Sequence, residues 1–479
     1  MQAEPPHPVP RADLPREGGG DKPIQLQEPL EDLARDPSRF AHDLKFPPSD
    51  RIRVYDDTLR DGEQMPGVSI TPKDKYQLAR MLSDIGVHIM DVGFPSVSEG
   101  ERETLRLVLE GRKRGELRAD LEVVCMMRST KGDIDATMNV IDSLGHERDE
   151  VTYFIFTSAS DLHVKYKLGK TLLHRDGIPE SEWLELPVSH YREANLRMVC
   201  EAIRYAREQG AQSIEFGGED GSRADVDYIV ELHREGLKAG GTRPSTPDTV
   251  GCYSPFAVRE YIPAIKAAAP DAPLVVHFHN DLGLGAWNTV MALGSGAEVF
   301  TTSVNGIGER TGNAPMHQVL MQLRYLFGIE IPGFKYEKLR DLARHLEKIS
   351  GIPVQPTEPG IGLNVFSHES GIHTAGMLIH PAIYQFIPPA DLGAEISYVY
   401  GKHSGTLVIE HALRDAGINT ETELVAAVLA EVKRIREERA ERRDFSDFHR
   451  RYYDHLNHLG LSADEVVEIA RALANHGGG

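Results

Sequence analysis

The sequence predicts an α/β protein built on a (β/α)8 TIM barrel. Short apolar runs typical of buried strands alternate with segments in which apolar residues recur every three or four positions. Eight such runs fit into about 260 residues, which is the length that this barrel needs. The runs are Ile52–Tyr55, Ile89–Phe94, Leu121–Met127, Val151–Phe156, Ser213–Phe216, the stretch before Asp248, Leu274–Phe278 and Val299–Val304.

An open doubly wound sheet is the competing prediction. Such a sheet needs a Gly-rich dinucleotide-binding turn after its first strand. Here the segment after the first run, Asp57–Gln64, is charged rather than Gly-rich. The segments between runs, such as Lys73–Ile85 and Asn195–Gln209, have a helical period. The barrel is therefore favoured.

The chain also predicts regions outside the barrel. Residues 1–50 are rich in Pro, Gly and charge, which is typical of a disordered tail or of an arm lying on another surface. After residue 330 the alternation stops, and an amphipathic helix is predicted over Tyr336–Ile349. Helices are again predicted over Glu421–Arg436 and Ala463–Ala474. The predicted organisation is an extension at 1–50, a catalytic barrel at 51–329, a smaller mixed linker subdomain at 330–410 and a helical C-terminal subdomain at 411–479.

Composition limits the partners and the compartment. The formal net charge of -20 argues against nucleic acid or an anionic membrane as a partner, because both need a basic face. The three cysteines are scattered, so a disulfide framework is not expected and a reducing cytoplasm fits best. No apolar run approaches ~18 residues, and the N-terminus lacks the apolar core of a signal peptide. We expect a cytoplasmic protein.

The most informative stretch is His277–Asp281, which follows the apolar run Pro273–Val276. Side chains alternate along a strand, so His277 and His279 point the same way, about 6.6 Å apart along the backbone. Two imidazoles on one face at the end of a strand can hold a divalent cation. The pair alone fits equally well two histidines of a core or of a solvated rim.

Polar groups at the ends of the other predicted strands favour the metal site. Barrel active sites form at the carboxyl ends of the strands. A carboxylate, two neutral imidazoles and an amide oxygen suit Zn²⁺, Mn²⁺, Co²⁺ or Mg²⁺, with positions left open for a chelating substrate. The groups predicted at this rim are Arg60, Asp61, Glu63, Asp91, Glu215, Glu219, Asp220, Arg223, Thr249, His277, His279 and the Gly-rich segment 306–313.

Three motifs carry a family resemblance that covers roughly residues 50 to 410. They are Arg-Asp-Gly-Glu-Gln at 60–64, His-x-His-Asn-Asp at 277–281 and Gly-Ile-Gly-Glu-Arg-x-Gly-Asn at 306–313. The chain resembles the metal-dependent acyl-CoA Claisen-condensing barrels. That family includes 2-isopropylmalate, homocitrate and citramalate synthases, with 3-hydroxy-3-methylglutaryl-CoA lyase as a relative.

The resemblance implies roles at the barrel mouth. Arg60 would stabilise negative charge on oxygen, and Thr249 would contact the substrate carboxylate. Asp91 stands where the family usually has Glu, so the carboxylate that orients Arg60 is one methylene shorter. The implied metal ligands are Asp61, His277, His279 and Asn313.

The resemblance also implies the groups that move protons. His373 matches a histidine that reaches the barrel mouth from the neighbouring subunit in relatives, which implies a homodimer. Tyr384 falls where a synthase tyrosine partners that histidine, and Glu219 is a further candidate. The implied reaction is condensation of acetyl-CoA, as co-substrate, with a 2-oxo acid that chelates the metal, followed by thioester hydrolysis and release of CoA.

The sequence leaves the identity of the 2-oxo acid substrate open. The segment His-x-x-Tyr-Lys-Leu at 163–168 looks more like isopropylmalate synthases, and Tyr166 either contacts substrate or merely covers the rim. The Tyr384 segment is similar to homocitrate synthase as well, and citramalate or phosphonomethylmalate synthase are further alternatives. Residues 415–479 predict helices and not the β-containing domain of leucine-regulated synthases.

Two other classes compete with the synthase. A lyase would share the metal site, but cleaving relatives usually supply a catalytic Cys near the eighth strand, and residues 299–320 contain none. A non-catalytic metal-binding barrel would not need Arg60, His373 and Tyr384 together. The synthase interpretation is therefore preferred.

Overall fold

The predicted barrel is present as eight parallel strands that close on themselves. The computed structural model describes residues 24–34, 43–457 and 460–476. Within these residues each strand of the barrel pairs with the next along the chain, and the first pairs with the last. The strands are β1 (Arg53–Asp56), β2 (Ile89–Asp91), β3 (Glu122–Arg128), β4 (Thr152–Ser158), β5 (Ser213–Glu219), β6 (Arg243–Asp248), β7 (Val275–Phe278) and β8 (Val299–Thr302).

Helices connect these strands and continue after them. The α-helices in chain order are α1 (Leu30–Leu33), α2 (Pro72–Ile85), α3 (Glu99–Lys113), α4 (Lys131–Ser143), α5 (Gly169–Asp176), α6 (Val188–Glu208), α7 (Val226–Lys238), α8 (Pro255–Lys266), α9 (Gly285–Leu293), α10 (Met316–Phe327), α11 (Leu339–Ser350), α12 (Gly371–Ile379), α13 (Thr406–Asp415), α14 (Thr422–Glu441), α15 (Ser446–Asn457) and α16 (Ala463–His476). None of the helices in the described residues is both long and apolar enough to cross a membrane.

Local sequence fixes where the barrel helices begin. The Thr71 hydroxyl caps α2 by accepting from the Asp74 N–H at 3.2 Å, and Pro72 occupies the first turn. Gly86 ends the same helix at φ 111°, a conformation that favours glycine. Ser98 and Thr130 cap α3 and α4 in the same way. Because the eight strands are all parallel, their carboxyl ends lie at the same rim of the barrel, where these helices begin to return.

The interior of the barrel contains an apolar layer above a charged floor. Its buried apolar side chains come from alternate positions of five strands: Tyr55, Ile89, Val124, Val275 and Val299, with Phe154 packed against them. Glu215 lies at the floor, where the Arg243 side chain binds it. The prediction that Glu215 stands at the rim is therefore wrong, because it points inward four residues before the end of β5.

The last residues of the N-terminal extension, 43–50, contact the barrel, as predicted for an arm that lies on another surface. Within residues 43–50, the Lys45 N–H donates to the Gly294 carbonyl at 2.8 Å, and the Phe46 and Phe327 rings lie 4.8 Å apart. This segment therefore lies on the barrel. Residues 1–23 and 35–42, which the same prediction covered, lie outside the described residues.

The chain divides into two units. The barrel unit runs to Lys335 and includes His345–Gly351, so it ends a few residues after the predicted boundary at 330. The other unit contains described residues 24–34, Tyr336–Arg344 and those from Ile352 onward. Its helical C-terminal region is confirmed, with the two predicted helices inside α14 and α16. The further division at residue 411 stays a prediction.

The second unit is built around a short two-stranded sheet. Strand β9 (Ser367–His368) pairs in parallel with β10 (Ser397–Tyr398). The Gly371 N–H donates to the His403 carbonyl at 2.8 Å, at the start of α12. This arrangement leads directly into the helix that carries His373.

Candidate active site

The carboxyl ends of the barrel strands surround a cavity of about 360 Å³. Its wall combines aromatic and charged side chains, as is typical of small-molecule sites. Five sequence-predicted site residues at the ends of β1, β6 and β7 line it together with Glu219. The lining residues are Tyr55, Arg60, Asp61, Gln64, Phe94, Met126, Phe154, Phe156, Lys167, Glu215, Gly217, Glu219, Ser245, Pro247, Thr249, His277, His279, Thr301, Glu309 and Arg310.

Asp61, His277 and His279 form a cluster that can hold a metal ion. One potential ligand atom from each lies within 4.8 Å of the others. The Nε2 atoms of His277 and His279 lie 3.6 and 3.8 Å from Oδ2 of Asp61. These distances are too long for hydrogen bonds, so the three groups converge on a common point without bonding one another. The donor set and the spacing fit a divalent cation.

The tautomer of His277 is set by groups behind the ring. Its Nδ1 lies 3.1 Å from Oδ2 of Asp57 and 2.7 Å from the Thr301 hydroxyl. Nδ1 therefore has the Thr301 hydroxyl as its hydrogen-bond partner and the Asp57 carboxylate as a charged neighbour, and the Nε2 atom faces Asp61. The sequence prediction gave Asp57 no role. The signal that could have found it is a second acidic residue in the turn that carries Asp61.

The charges of the cluster are mutually dependent. Burial alone would raise the pKa of Asp61, but Arg60 and the two imidazoles lower it to about 2. Burial and the neighbouring His277 lower the pKa of His279 to about 3. Burial opposes protonation of His277 too, but Asp57 raises the pKa of that ring above its usual value. The site therefore holds an ionised carboxylate beside a neutral imidazole, as metal ligation requires.

Asn313 lies against the same carboxylate. Its Nδ2 donates to Oδ2 of Asp61 at 2.6 Å, and Oδ1 is buried and has no hydrogen-bond partner among the described residues. A half-turn of the amide would exchange the two atoms and bring the oxygen to the cluster. Gly312 (φ 86°) makes this approach possible, because a Cβ there would lie 1.8 Å from the Gly306 carbonyl oxygen.

Arg60 is fixed by two carboxylates. Its Nε donates to Oδ2 of Asp91 at 2.7 Å, and NH1 lies 3.0 Å from Oδ1 of Asp61. The shorter Asp91 side chain therefore still reaches the guanidinium. Burial raises the pKa of Asp91 to about 6, although Arg60 opposes the shift. The guanidinium stays charged, because Asp61 and Asp91 raise its pKa against the effect of burial.

The opposite wall contains Thr249, Glu219 and two cations. The Thr249 hydroxyl accepts from the Asp220 N–H at 2.8 Å. Arg310 donates to the Thr249 carbonyl at 2.6 Å and forms a bidentate pair with Asp281. Lys167 pairs with the Glu219 carboxylate. The sequence prediction named Arg310 only as part of a Gly-rich loop and gave Lys167 no role beyond the rim.

Glu63 and Tyr166, two further residues predicted at the barrel mouth, do not line the cavity. Glu63 is not part of the cavity wall, because its carboxylate binds Lys75 at 2.5 Å and the Ile70 N–H at 2.6 Å. Tyr166 is 55% exposed, with its ring 6.1 Å from that of Trp183, and Lys167 lines the cavity in its place. Glu63 lies beyond the carboxyl end of β1 as predicted, in the turn Gly62–Gln64, but it binds Lys75 rather than lining the cavity. A substrate contact by Tyr166 stays a prediction that this placement does not support.

The second unit brings together the other two predicted catalytic residues. The rings of His373 and Tyr384 lie 4.2 Å apart, tilted by 30°, and both side chains are exposed. The His368 ring lies 6.5 Å from that of His373. The pairing predicted for these residues is present, and their role in proton transfer stays a prediction.

Fold and site together define a (β/α)8-barrel enzyme whose mouth can hold a metal ion. The chain matches the family model described as HMGL-like over residues 51–174 and 178–346. It also matches the model described as homocitrate synthase post-HMGL domain-like over residues 361–440.

Similar proteins extend over most of the chain. Homocitrate synthase AksA of Methanopyrus kandleri is 38% identical over 387 residues, which cover 81% of this chain and 88% of that protein. A 2-isopropylmalate synthase of Sulfurisphaera tokodaii is 34% identical over 389 residues, which cover 81% of this chain and 92% of that protein. The chain belongs to the HMGL-like family, and the prediction of an enzyme of this family is confirmed.

A solved structure supports the fold. Hydroxymethylglutaryl-CoA lyase from Pseudomonas aeruginosa has a TM-score of 0.50 and 21% sequence identity, and the match covers 65% of this chain and 96% of that chain. At this identity the likeness shows the barrel fold alone.

Proposed function

We propose that the protein is an acyltransferase that condenses acetyl-CoA with a 2-oxo acid, as 2-isopropylmalate synthase does. The products are a 2-hydroxy-2-alkyl dicarboxylate and CoA. The observation that carries the proposal is the cluster of Asp61, His277 and His279 next to a fixed Arg60 in one cavity. The named synthases among its relatives support it.

Asp61, His277 and His279, with Asn313 as a fourth ligand, would hold a divalent cation such as Zn²⁺, Mn²⁺, Co²⁺ or Mg²⁺. Such a cation supplies Lewis acidity to a bound ketone. The Asp57 carboxylate beside Nδ1 would favour a proton there and so keep the Nε2 atom of His277 available for the cation.

Arg60 would stabilise the negative charge that develops on the ketone oxygen. Its guanidinium is held on Nε by Asp91 and on NH1 by Asp61, so little reorganisation is needed when the charge appears. A fixed positive charge in a cavity from which water is excluded is most effective at this step. Thr249, which lines the same cavity, would contact the substrate carboxylate.

Proton transfer needs a base for the methyl group of acetyl-CoA. His373 with Tyr384 is the first candidate, because the two rings are already in contact. Glu219 lines the cavity and is the candidate within the barrel. A positioned base contributes roughly 10²–10⁴-fold to the rate. The carbanion attacks the ketone carbon, and water then cleaves the thioester and releases CoA.

The assembly and compartment follow from the same proposal. We expect a homodimer in which His373 is contributed across subunits, and a cytoplasmic location. Sedimentation of the active protein tests the first expectation. A stable monomer with full activity would contradict it.

The test of function is CoA release from acetyl-CoA with a panel of 2-oxo acids. We expect release with at least one of 2-oxoisovalerate, 2-oxoglutarate, pyruvate, oxaloacetate and phosphonopyruvate. The His277→Ala variant should retain no metal and release no CoA. The control His174→Ala, at an exposed histidine outside the cluster, should retain the metal and release CoA as the wild type does. No release with any acid from metal-loaded protein would refute the proposal, and cleavage of a 3-hydroxyacyl-CoA would favour a lyase.

A further inference from the structure

The floor of the cavity contains more negative than positive charge. Arg243 binds Glu122 through two bonds, NH1 to Oε2 at 3.0 Å and NH2 to Oε1 at 2.7 Å. This bidentate pair is complete by itself. Glu215 is a second carboxylate on the same guanidinium, and its Oε2 accepts a hydrogen bond from Nε of Arg243 at 3.0 Å. Two carboxylates share one cation, so Glu215 is the excess charge.

Glu215 faces the space that a substrate would enter. It is 1% exposed, yet it lines the cavity together with Tyr55 and Phe154. Arg243 is paired with Glu215 across β5 and β6, and Pro247 is paired with His277 across β6 and β7. The backbone of Arg243 therefore lies four residues before that of Pro247, about 13 Å along β6, and the Glu215 and His277 side chains both line the cavity.

The wall between the cluster and the floor is largely apolar. Phe154 and Met126 line the lower part, and the Phe94 and Phe156 rings, 6.2 Å apart, line the upper part. A 2-oxo acid held by its keto and carboxylate oxygens at the cluster would point its side chain along this wall. The charged side chain that lines the floor end of this wall is Glu215.

We propose that Glu215 determines which 2-oxo acid the enzyme accepts. It admits acids with an uncharged, apolar side chain and rejects those with a second carboxylate, such as 2-oxoglutarate. A second carboxylate would lose its hydration in the apolar part of the cavity and then face a like charge, and such juxtapositions are strongly unfavourable. This inference rests on the proposed function and names its substrate class.

The test compares kcat/KM for 2-oxoisovalerate and 2-oxoglutarate at pH 8 in metal-loaded protein. We expect the monocarboxylate to be preferred by about 100-fold or more, the size of a repulsion of this kind. In Glu215→Gln, the ratio should fall by at least about tenfold, mainly through a gain with 2-oxoglutarate. Gln retains the shape and an acceptor for Arg243, whose pair with Glu122 remains.

The matched control is Glu298→Gln. Glu298 binds Lys266 at 2.8 Å and the Leu274 N–H at 3.0 Å, outside the cavity wall. The same loss of charge there should leave the substrate ratio unchanged. Thermal unfolding of both variants shows whether a changed ratio comes from a changed fold.

The outcomes separate this inference from the proposed function. A wild-type enzyme that uses 2-oxoglutarate as well as 2-oxoisovalerate, or a ratio unchanged in Glu215→Gln, would overturn the role of Glu215 while the synthase stands. No CoA release with any acid would refute the synthase. In that case, calorimetric binding of the two acids to Mn²⁺-loaded protein still tests the selectivity role of Glu215. Equal affinities for the two acids would overturn that role.

Discussion

Arg60 donates from Nε to Oδ2 of Asp91 at 2.7 Å, across the ends of β1 and β2. Asp91 is itself oriented, because its Oδ1 accepts the Gly93 N–H at 3.1 Å. The carboxylate thus holds the guanidinium edge-on and leaves NH1 directed at Asp61. An arginine fixed at both ends presents its charge in one direction, which a flexible lysine cannot do.

Replacement of Arg60 should affect turnover more than folding. We expect Arg60→Ala to lower kcat by about 100- to 1000-fold, the usual size for loss of a preorganised charge at developing oxyanion charge. Arg60→Lys retains the charge but cannot keep both bonds at once, so its kcat should lie between those of the wild type and Arg60→Ala. Steady-state CoA release measures the effect, with thermal unfolding as the control. Turnover of Arg60→Ala within a few-fold of wild type would contradict the role.

Much of this site could be predicted from the sequence. The strand pattern set the order of the barrel, and parallel strands bring their carboxyl ends to one rim, so Asp61, His277 and His279 were expected together. Side-chain direction near a strand end could not be predicted in the same way. Glu63 lies in a turn and binds Lys75, and Glu215 lies two pleats below the rim.

The partners of the metal-ligand cluster were harder to predict than the cluster itself. Asp57 reaches His277 only because β1 and β7 both pair with β8 and therefore lie two strands apart in the closed barrel. No spacing along the chain encodes that distance. Tyr166 and Lys167 are neighbours in sequence, and the turn of the π-helical segment His163–Lys167 decides which of them enters the wall.

Removal of the charge on Asp57 should weaken metal binding. We expect the affinity of Asp57→Asn for Mn²⁺ or Zn²⁺ to fall about 10–100-fold, because Nδ1 of His277 loses its negatively charged neighbour. Isothermal titration of metal-free protein measures this change. Asp133→Asn is the control, since Asp133 pairs with Arg128 at 2.7 Å outside the cluster and its loss should leave the affinity unchanged. Equal affinity in Asp57→Asn would show that Asp57 does not tune the ring.

The buried Lys75 should contribute to stability in a way that surface lysines do not. Its ammonium is 2% exposed and contacts both Glu63 and Glu101 at 2.5 Å. Lys75→Ala would leave two carboxylates without their cation, so we expect a loss of about 3–5 kcal/mol in the free energy of unfolding. The exposed pair of Lys335 and Asp84 gives the comparison: Lys335→Ala should cost at most about 1 kcal/mol. Urea unfolding measures both, and equal losses would contradict the prediction.

Substrate selectivity should depend on pH through Glu215. Burial raises the pKa of this carboxyl to about 7 against the opposing charge of Arg243, with Glu122 and Asp91 adding to the rise. Its ionised form therefore dominates above about pH 7 and its neutral form below. Since the repulsion needs the ionised form, the preference for 2-oxoisovalerate over 2-oxoglutarate should shrink as the pH falls from 8.5 to 6.

Other groups around the floor titrate differently from Glu215 or affect both substrates alike. Tyr55 stays neutral across this range, because burial raises its pKa above the usual value. Arg243 stays charged, because Glu215 and Glu122 raise its pKa against the effect of burial. Asp91, whose pKa burial raises to about 6, acts through Arg60 on the keto acid end that the two substrates share. The ratio of the two kcat/KM values cancels that effect. In Glu215→Gln the ratio should be independent of pH, and a ratio that still falls there toward pH 6 would assign the dependence to another group.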